Sequence, residues 1–253
     1  MMVLKAPGEI ELMNAANAIV LSVLDGIAAR IGPGVTTREL DSWADRHIRE
    51  AGGVPAFLDY RGYPATLCTS INDVVVHGIP DDRPLVAGDI VGVDCGVAYK
   101  GYYGDAARTY PVGSVDPESA RLLEVTERAL SRGIAQALPG NRLSDIGHAV
   151  QAEVEAAGFS VVREFVGHGI GAALHEEPQV PNFGRAGRGP RLKPGLVLAI
   201  EPMVNVGRPE TKTDADGWTA RTADGSRSAH FEYSVAITAS GPRILGRPAA
   251  MAA

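Results

Sequence analysis

Asp94 and Asp105 lie within the segment 88–111, whose sequence is GDIVGVDCGVAYKGYYGDAARTYP. β-Branched residues before a glycine-containing turn and tyrosines after it predict a β-hairpin. With the turn centred on Tyr99 and Lys100, the two aspartates would face each other directly, with Cβ atoms about 4.5–5.5 Å apart. Two like charges at that spacing are destabilising unless a cation lies between them or one proton is shared. The alternative is a solvent-facing hairpin that carries two unrelated acids.

Further acids and histidines stand in strand-like or glycine-flanked positions: His77, His168, His175, Glu201 and Glu232. Several carboxylates that converge on one pocket cannot all ionise without cations. Two metal ions about 3.5–4 Å apart would resolve the repulsion and supply a nucleophilic hydroxide near neutral pH. One imidazole among several oxygen ligands suits manganese, iron, cobalt or zinc. The motifs of nucleotide-binding loops, of serine-nucleophile elbows and of the HExxH metalloproteases do not occur, which disfavours those classes.

The predicted elements that position these residues are four helices and several strands. Apolar residues at helical spacing predict a helix over 9–30, and the pair Thr36 and Glu39 predicts a capping box for the second. A third helix should begin at Asp116-Pro117 and end near Leu138, and a fourth should be capped by Ser144 and end at Gly158. Strands are predicted within 52–84, in the hairpin, and in the segments 161–171, 196–203 and 231–238.

The chain also contains an internal repeat. The pattern that runs from Leu85 through Gly88 to Asp94 recurs 107 residues later, from Leu192 to Glu201. A Pro-Gly turn before a helix, at 33–34, recurs at 139–140. The repeat predicts two similar α/β halves that face each other across one site, with Asp94 and Glu201 as near-equivalents.

The ordered motifs resemble a known family. They are HGIP (77–80), VDCG (93–96) with YYGDAART (102–109), GHGIG (167–171) with HEEP (175–178), IEPMV (200–204) and SAHFEYSVAIT (228–238). Together they resemble the type I methionine aminopeptidases, a group of pita-bread metallopeptidases, over residues 4–238. The resemblance implies an α/β (α+β) pita-bread fold, which is a curved, mostly antiparallel sheet with helices on its convex side. It also implies one catalytic domain over 1–248, with halves at about 4–114 and 115–240 and a disordered tail at 249–253.

The same resemblance assigns roles to residues. The family's five metal ligands fall on Asp94, Asp105, His168, Glu201 and Glu232, which would hold two divalent ions. A metal-bridging hydroxide would attack the carbonyl of the N-terminal methionine, with Glu201 as general base and then acid. His175 would hydrogen-bond the oxyanion, and His77 the amide after the scissile bond.

The family's methionine pocket maps onto Tyr60, Tyr63, Cys68, Leu174 and Trp218. Sulfur–aromatic contacts suit the recognition of a thioether. Leu174 replaces a usual aromatic residue, and Gly96, Ala199 and Tyr233 are further departures that leave every ligand in place. The family's monovalent-cation site maps near Asn72, Val74 and Ser228.

Three alternative hypotheses about the function of these motifs remain at this point. Prolidases and aminopeptidases P cleave before proline, but usually carry a large extra N-terminal domain. Type II methionine aminopeptidases insert a helical subdomain, for which the interval between Glu201 and Glu232 is too short. A non-enzymatic binding module of the same fold typically loses ligands, whereas all five are present here.

Composition limits the partners. The formal net charge of −6 disfavours general nucleic-acid binding, and no apolar run was found that approaches the roughly 20 residues of a membrane span. The N-terminus lacks a secretory signal and a zinc-binding extension, and the two cysteines do not form a disulfide framework. We therefore expect a cytoplasmic monomer that acts on N-terminal Met-Xaa peptides of nascent chains and that contacts the ribosome, but not DNA or membranes.

Overall fold

The computed structural model describes residues 2–247, so the predicted tail at 249–253 lies outside the described residues. The helices are α1 (Pro7–Ala28), α2 (Thr37–Glu50), α3 (Pro117–Ala135) and α4 (Leu143–Ala156). The strands are β1 (Val54–Pro55), β2 (Leu67–Ile71), β3 (Val74–Val76), β4 (Ile90–Tyr99), β5 (Tyr102–Pro111), β6 (Ser160–Val161), β7 (Gly167–Gly169), β8 (Glu176–Val180), β9 (Val197–Ile200), β10 (Met203–Asn205), β11 (Thr211–Thr213), β12 (Ala220–Thr222), β13 (Ser228–His230), β14 (Tyr233–Thr238) and β15 (Gly241–Ile244). The pairings between these strands are antiparallel, which confirms the predicted α/β class with mostly antiparallel sheet.

Helix α1 packs against β4 and β5 and buries an apolar stripe that includes Met13, Val20 and Leu24. By length and composition it could span a membrane, contrary to the sequence-based prediction that no segment approaches this limit. Half of its most apolar stretch is buried inside the protein, as expected for a helix that covers a sheet.

The helix predictions are confirmed with one correction. The Thr36 hydroxyl accepts from the Glu39 N–H at 3.2 Å while the Glu39 carboxylate accepts from the Thr36 N–H, so the capping box forms as predicted. The prediction that Ser144 caps the fourth helix is wrong. The N-cap of α4 is Arg142, and the Ser144 hydroxyl instead donates to the Arg188 carbonyl at 2.8 Å.

The hairpin of β4 and β5 forms, but its predicted register is wrong. Both Lys100 (φ 49°) and Gly101 (φ 84°) have positive φ, so they are the central residues of the turn. The register therefore shifts by one residue on each strand relative to a turn centred on Tyr99 and Lys100. Asp94 pairs with Ala107 and Asp105 with Gly96, which makes the two aspartates diagonal neighbours on one face.

The internal repeat appears in the backbone hydrogen bonds. The Gly34 N–H donates to the Leu85 carbonyl at 2.8 Å, and the Gly140 N–H donates to the Leu192 carbonyl at 2.9 Å. Isolated bridges join Thr36 to Pro84 and Arg142 to Arg191 at corresponding places. The two regions thus repeat one local framework of turn, helix and returning strand.

The two halves meet along β5. The Glu232 N–H donates to the Ala107 carbonyl at 2.9 Å, and the Ser234 hydroxyl donates to the Asp105 carbonyl at 2.8 Å. The Thr109 hydroxyl donates to the His230 carbonyl at 2.8 Å. These bonds hold the segment 230–234 beside β5 and so place Glu232 next to Asp105.

Candidate metal centre

The five predicted ligands are carried by neighbouring strands. Asp94 and Asp105 lie within β4 and β5, and His168 lies in β7. Glu201 directly follows β9, and Glu232 directly precedes β14. β9 pairs with β7 and also with β14, and the pairing of Ile200 with Tyr233 brings the ends that carry these glutamates together.

The side chains converge closely. One ligand atom each from Asp105, His168 and Glu232 lie within 4.8 Å of one another. The His168 Nε2 atom lies 3.5 Å from Glu201 Oε1 and 3.9 Å from Asp105 Oδ2. Asp105 therefore belongs to a shared cluster, and the alternative of a solvent-facing hairpin is excluded because Asp105 is only 4% exposed.

The arrangement fits divalent metal ions. Asp94 Oδ1, Asp105 Oδ1 and Glu232 Oε1 are buried and make no hydrogen bond. A buried carboxylate oxygen without a partner carries a large desolvation cost, which a metal ion would offset. Carboxylate oxygens with one imidazole nitrogen are a donor set for hard or borderline divalent metals.

The pKa values of the carboxylates in the metal-free cluster also show that burying these charges together is unfavourable. Burial, opposed in part by the His230 charge and reinforced by Glu201, raises the pKa of Asp94 to about 7. Burial alone raises the pKa of Glu201 to about 8. For Asp105 and Glu232, burial and then the neighbouring carboxylates hold the pKa well above its usual range. When no metal is bound, protons on the carboxylates remove the negative charge that metal cations would otherwise balance.

His168 is prepared as a neutral ligand. Its Nδ1 atom lies 2.9 Å from the Gly169 carbonyl, which assigns the ring proton to Nδ1 and leaves the Nε2 lone pair facing Asp105 and Glu201. Burial, the largest cause, lowers the pKa of His168 to about 4. The imidazole is therefore uncharged at neutral pH and free to coordinate.

The cluster forms the floor of a cavity of about 190 Å³. All twelve residues that the sequence singled out for metal, catalysis and substrate line it: Tyr60, Tyr63, Cys68, His77, Asp94, Asp105, His168, Leu174, His175, Glu201, Trp218 and Glu232. Two further lining residues, Phe57 and Arg61, were missed. They stand in a loop that carries no motif, and only the aromatic run LDYRGYP in 58–64 marked it.

The aromatic side of the cavity is built by edge contacts. The rings of Tyr63 and Trp218 meet edge to face with centroids 5.2 Å apart. His77 contacts Trp218 and Phe165 in the same way, at 6.4 and 5.4 Å. His77 has a left-handed backbone (φ 61°), and burial lowers its pKa to about 4. A non-glycine residue in this conformation stores strain, which is typical of ligand-binding positions.

His175 lies between the metal cluster and the surface loop. Its ring centroid is 4.3 Å from that of His168, and its Nδ1 atom lies 2.8 Å from the Tyr60 hydroxyl. With the hydroxyl as donor, the ring proton is on Nε2. Burial and then the charge of Arg61 lower the pKa of His175, which favours this neutral form.

A third residue that the sequence reasoning missed is His230. It is 4% exposed, its Nε2 atom has no hydrogen-bond partner, and this atom lies 3.6 Å from Glu201 Oε2. Its position within the motif SAHFEYSVAIT, two residues before Glu232, was the available signal. Burial lowers the pKa of His230, the Asp94 carboxylate opposes this in part, and the ring packs beside Glu201.

The residues of the predicted monovalent-cation site lie together. The Ser228 N–H donates to the Asn72 carbonyl at 2.8 Å, and the Asn72 side chain donates to Asp89 at 2.7 Å. The site itself stays a prediction.

One histidine and four carboxylates line the cavity at the junction of two repeated antiparallel halves, and such a donor set is typical of metal-dependent enzymes. The chain belongs to metallopeptidase family M24, whose sequence profile matches residues 11–239. This confirms the predicted family.

Particular relatives agree over nearly the whole chain. Methionine aminopeptidase 1 of Bacillus subtilis is 50% identical, with 98% of this chain and 100% of the relative covered. Methionine aminopeptidase of Clostridium perfringens is 51% identical, with 97% and 98% covered. The solved structure of methionine aminopeptidase from Thermotoga maritima superposes with a TM-score of 0.96 at 44% identity, with 98% of this chain and 100% of that chain covered.

The prolidase of Pyrococcus furiosus shares the fold alone. Its TM-score is 0.79 at 22% identity, and the match covers 98% of this chain but 66% of that one. The predicted pita-bread architecture, common to both groups, is thereby confirmed.

Proposed function

We propose that this protein is a metal-dependent aminopeptidase that removes the N-terminal methionine from nascent polypeptides. The observation that carries the proposal is that all five predicted ligands line one cavity together with aromatic side chains and Cys68. Relatives named methionine aminopeptidase, about half identical over their full length, support the same activity.

Asp94, Asp105, His168, Glu201 and Glu232 would hold two divalent ions, drawn from cobalt, manganese, iron or zinc. When bound, such ions polarise a carbonyl and lower the pKa of water, which supplies a nucleophile at neutral pH. The orphaned oxygens of Asp94, Asp105 and Glu232 support these ligand roles.

Glu201 is the proposed general base and then general acid. Glu201 directly follows a strand rather than lying within one, and its carboxylate adjoins two buried histidine rings, His168 and His230. It would accept a proton from the attacking water and return it to the departing amine.

The pocket histidines would serve the reacting amide. His175, held by Tyr60, would donate from Nε2 to the developing oxyanion, and His77 would bond the amide that follows the scissile bond. The rigid edge contacts of His77 with Trp218 and Phe165 support a fixed donor position.

The wall of the cavity suits a methionine side chain. Tyr63 and Trp218 offer ring edges, and Leu174 adds an apolar surface that is 2% exposed. Burial holds the pKa of the Cys68 thiol well above its usual range, so the sulfur is uncharged and contributes a polarisable contact. A thioether can pack here because it has no strongly polar group that would be left without a hydrogen-bond partner.

We further propose that residues 1–248 act as one catalytic domain, in the cytoplasm. The two free, buried cysteines and the net charge of −6 support this setting. A monomeric state and contact with the ribosome stay predictions.

The test uses purified protein stripped of metal and reloaded with one divalent ion at a time. We expect release of methionine from Met-Ala-Ala and none from a matched Xaa-Pro peptide. Preferential cleavage of the Xaa-Pro peptide would instead identify a prolidase-like enzyme, and no cleavage of either with any ion would leave a binding module.

A further inference from the structure

We propose that Arg61 selects among substrates by the charge of the residues beyond the second position, and that it favours acidic ones. This inference rests on the proposed function and extends it from the methionine to the rest of the peptide.

The path of the substrate follows from the exposure of the cavity wall. Among its fourteen lining residues, Arg61 and His175 are the most exposed, whereas the others are half-buried or buried. The metal cluster lies on the closed side, where Asp105 and Glu232 are 4% and 2% exposed. A polypeptide whose first residue reaches the cluster must leave on the open side, past Arg61 and His175.

The backbone fixes the position of Arg61. It lies in the short 3₁₀ turn Tyr60–Gly62, where Asp59 (φ 63°), Arg61 (φ 53°) and Gly62 (φ 88°) all adopt the left-handed region. The turn is closed by hydrogen bonds from the Tyr60 N–H to the Phe57 carbonyl at 2.9 Å and from the Asp59 N–H to the Tyr63 carbonyl at 2.8 Å. Two non-glycine residues held at positive φ indicate a strained conformation that the surrounding structure maintains.

The guanidinium is held beside the site. It lies 5.4 Å from the centroid of the Tyr60 ring, and the Tyr60 hydroxyl bonds His175. The cation, the ring and the oxyanion donor thus form one connected row along the open side of the cavity.

The charge of Arg61 is uncompensated by an ion pair. Within residues 2–247, no carboxylate lies within 4.0 Å of its guanidinium, although Asp59 is exposed two residues away and does not line the cavity. Arg61 is also the one lysine or arginine among the lining residues. With the four carboxylates of the floor neutralised by metal, the departing peptide meets a positive charge at the mouth.

The expected effect has the size of an exposed ion pair. Such pairs change equilibria by about 0.2–1 kcal/mol, which corresponds to about a 1.4- to fivefold change in kcat/KM. Salt should weaken the effect, since charges in contact with solvent are screened within about 10 Å at 0.1 M ionic strength.

The experiment compares three hexapeptides with the metal-loaded enzyme: Met-Ala-Glu-Ala-Ala-Ala, Met-Ala-Ala-Ala-Ala-Ala and Met-Ala-Lys-Ala-Ala-Ala. The readout is the ratio of kcat/KM for the glutamate peptide to that for the lysine peptide, within each variant. We expect a ratio of about two to twenty-five for the native enzyme at low salt, from two such effects of opposite sign. Arg61→Glu should invert the preference, and Arg61→Lys should retain it.

Arg185→Glu is the matched control, because Arg185 is exposed and does not line this cavity. It should leave the ratio at the native value. A ratio that is the same for the native enzyme and for Arg61→Glu, with both folded by circular dichroism, would overturn the proposal and leave Arg61 as a turn residue. Failure of the native enzyme to cleave Met-Ala-Ala-Ala-Ala-Ala would count against the proposed function instead.

Discussion

The two repeated halves share a framework but carry their acids differently. Gly88 (φ 97°) and Gly195 (φ 93°) turn the chain identically before each strand. Asp94 then stands in the middle of the ten-residue strand β4, whereas Glu201 follows the four-residue strand β9 and precedes Pro202. A carboxylate within a hydrogen-bonded ladder is fixed by its neighbours, while a longer one at a strand end has more freedom. We propose that the two halves repeat one scaffold but differ in chemistry: Asp94 would act as a ligand, and Glu201 as a ligand that also moves protons.

The largest effect should separate these two acids. Glu201→Gln should lower kcat by about 10²–10⁴-fold at saturating metal, the range for loss of a general acid–base group. Asp94→Asn should act mainly by weakening metal affinity, measured by titration calorimetry, with activity partly regained at high metal concentration. Turnover that survives in Glu201→Gln would remove the proposed base, and equal metal rescue of both variants would remove the difference between the halves.

The second prediction concerns both halves together, in the metal-free protein. Asp94 and Glu201 bind protons more tightly when folded than when unfolded, since burial raises their pKa to about 7 and about 8 from ordinary values of 3.8 and 4.5. Below pH 4 both states are protonated and the groups do not affect stability. As the pH rises from about 4 to about 8, the unfolded state loses its protons first, so the free energy of unfolding should fall by a few kcal/mol.

Thermal melts at pH 5.5 and pH 8 check this with and without metal. The metal-free protein should melt at a lower temperature at pH 8, and added metal should give the larger stabilisation there because it no longer competes with protons. A metal-free melting temperature that increases between these values would contradict the raised pKa values.

The third prediction uses a contact that only the second half has. The N-terminal segment packs against the second half, and the Lys5 N–H donates to the Gly195 carbonyl at 2.7 Å. The buried Lys5 ammonium pairs with Glu176, which follows His175 in the chain. Lys5→Met should cost about 3 kcal/mol of unfolding free energy, because it leaves a largely buried carboxylate unpaired. It should also lower kcat more than it raises KM, by displacing His175.

The control is an ion pair in the first half. Arg38 pairs with Asp82 at 2.7 Å, but the two side chains are 56% and 77% exposed. Arg38→Met should therefore change stability by less than about 1 kcal/mol and leave kcat unchanged. If denaturant titrations showed equal losses of unfolding free energy for Lys5→Met and Arg38→Met, burial would not explain the strength of these ion pairs.

The smallest predicted effect on stability concerns the N-termini of α2 and α4, which occupy corresponding places in the two halves. Thr36 caps α2 with its side chain, whereas its counterpart Arg142 has no acceptor to cap α4. Thr36→Ala should cost about 1 kcal/mol, and Arg142→Ala should stay within about 0.5 kcal/mol of the native protein. Urea unfolding resolves this difference, and equal losses would mean that the cap is not the cause.

Local chemistry made much of the fold predictable. The capping box at Thr36, the Asp116-Pro117 helix start and the repeat of glycine-opened strands all depend on neighbours in the chain, and the structure confirms them. The two wrong predictions also concerned local structure, but each depended on a competition between two nearby alternatives. The hairpin turned at Lys100-Gly101 rather than one residue earlier, and Ser144 bonded Arg188 rather than the helix start.

The site residues that were missed belong to a different category. Phe57 and Arg61 are ordinary residue types in a loop without a motif, and His230 lies within a motif in which it was given no role. All three matter because remote elements fold over them. A sequence pattern reports spacing along the chain, whereas a cavity wall is defined by spacing through space.

The sequence by itself determined which side chains could bind metal, their order, and the repeat that makes Asp94 and Glu201 counterparts. Only the tertiary structure decided how close they come and how deeply they are buried. The bonds that place Asp105 beside Glu232 join residues 129 positions apart, between Asp105 and Ser234. Burial at this junction raises the pKa values and orphans the oxygens, because desolvation depends on every element packed around a charge. The two aspartates of the hairpin are therefore acids by sequence, and packing is what makes them candidate metal ligands.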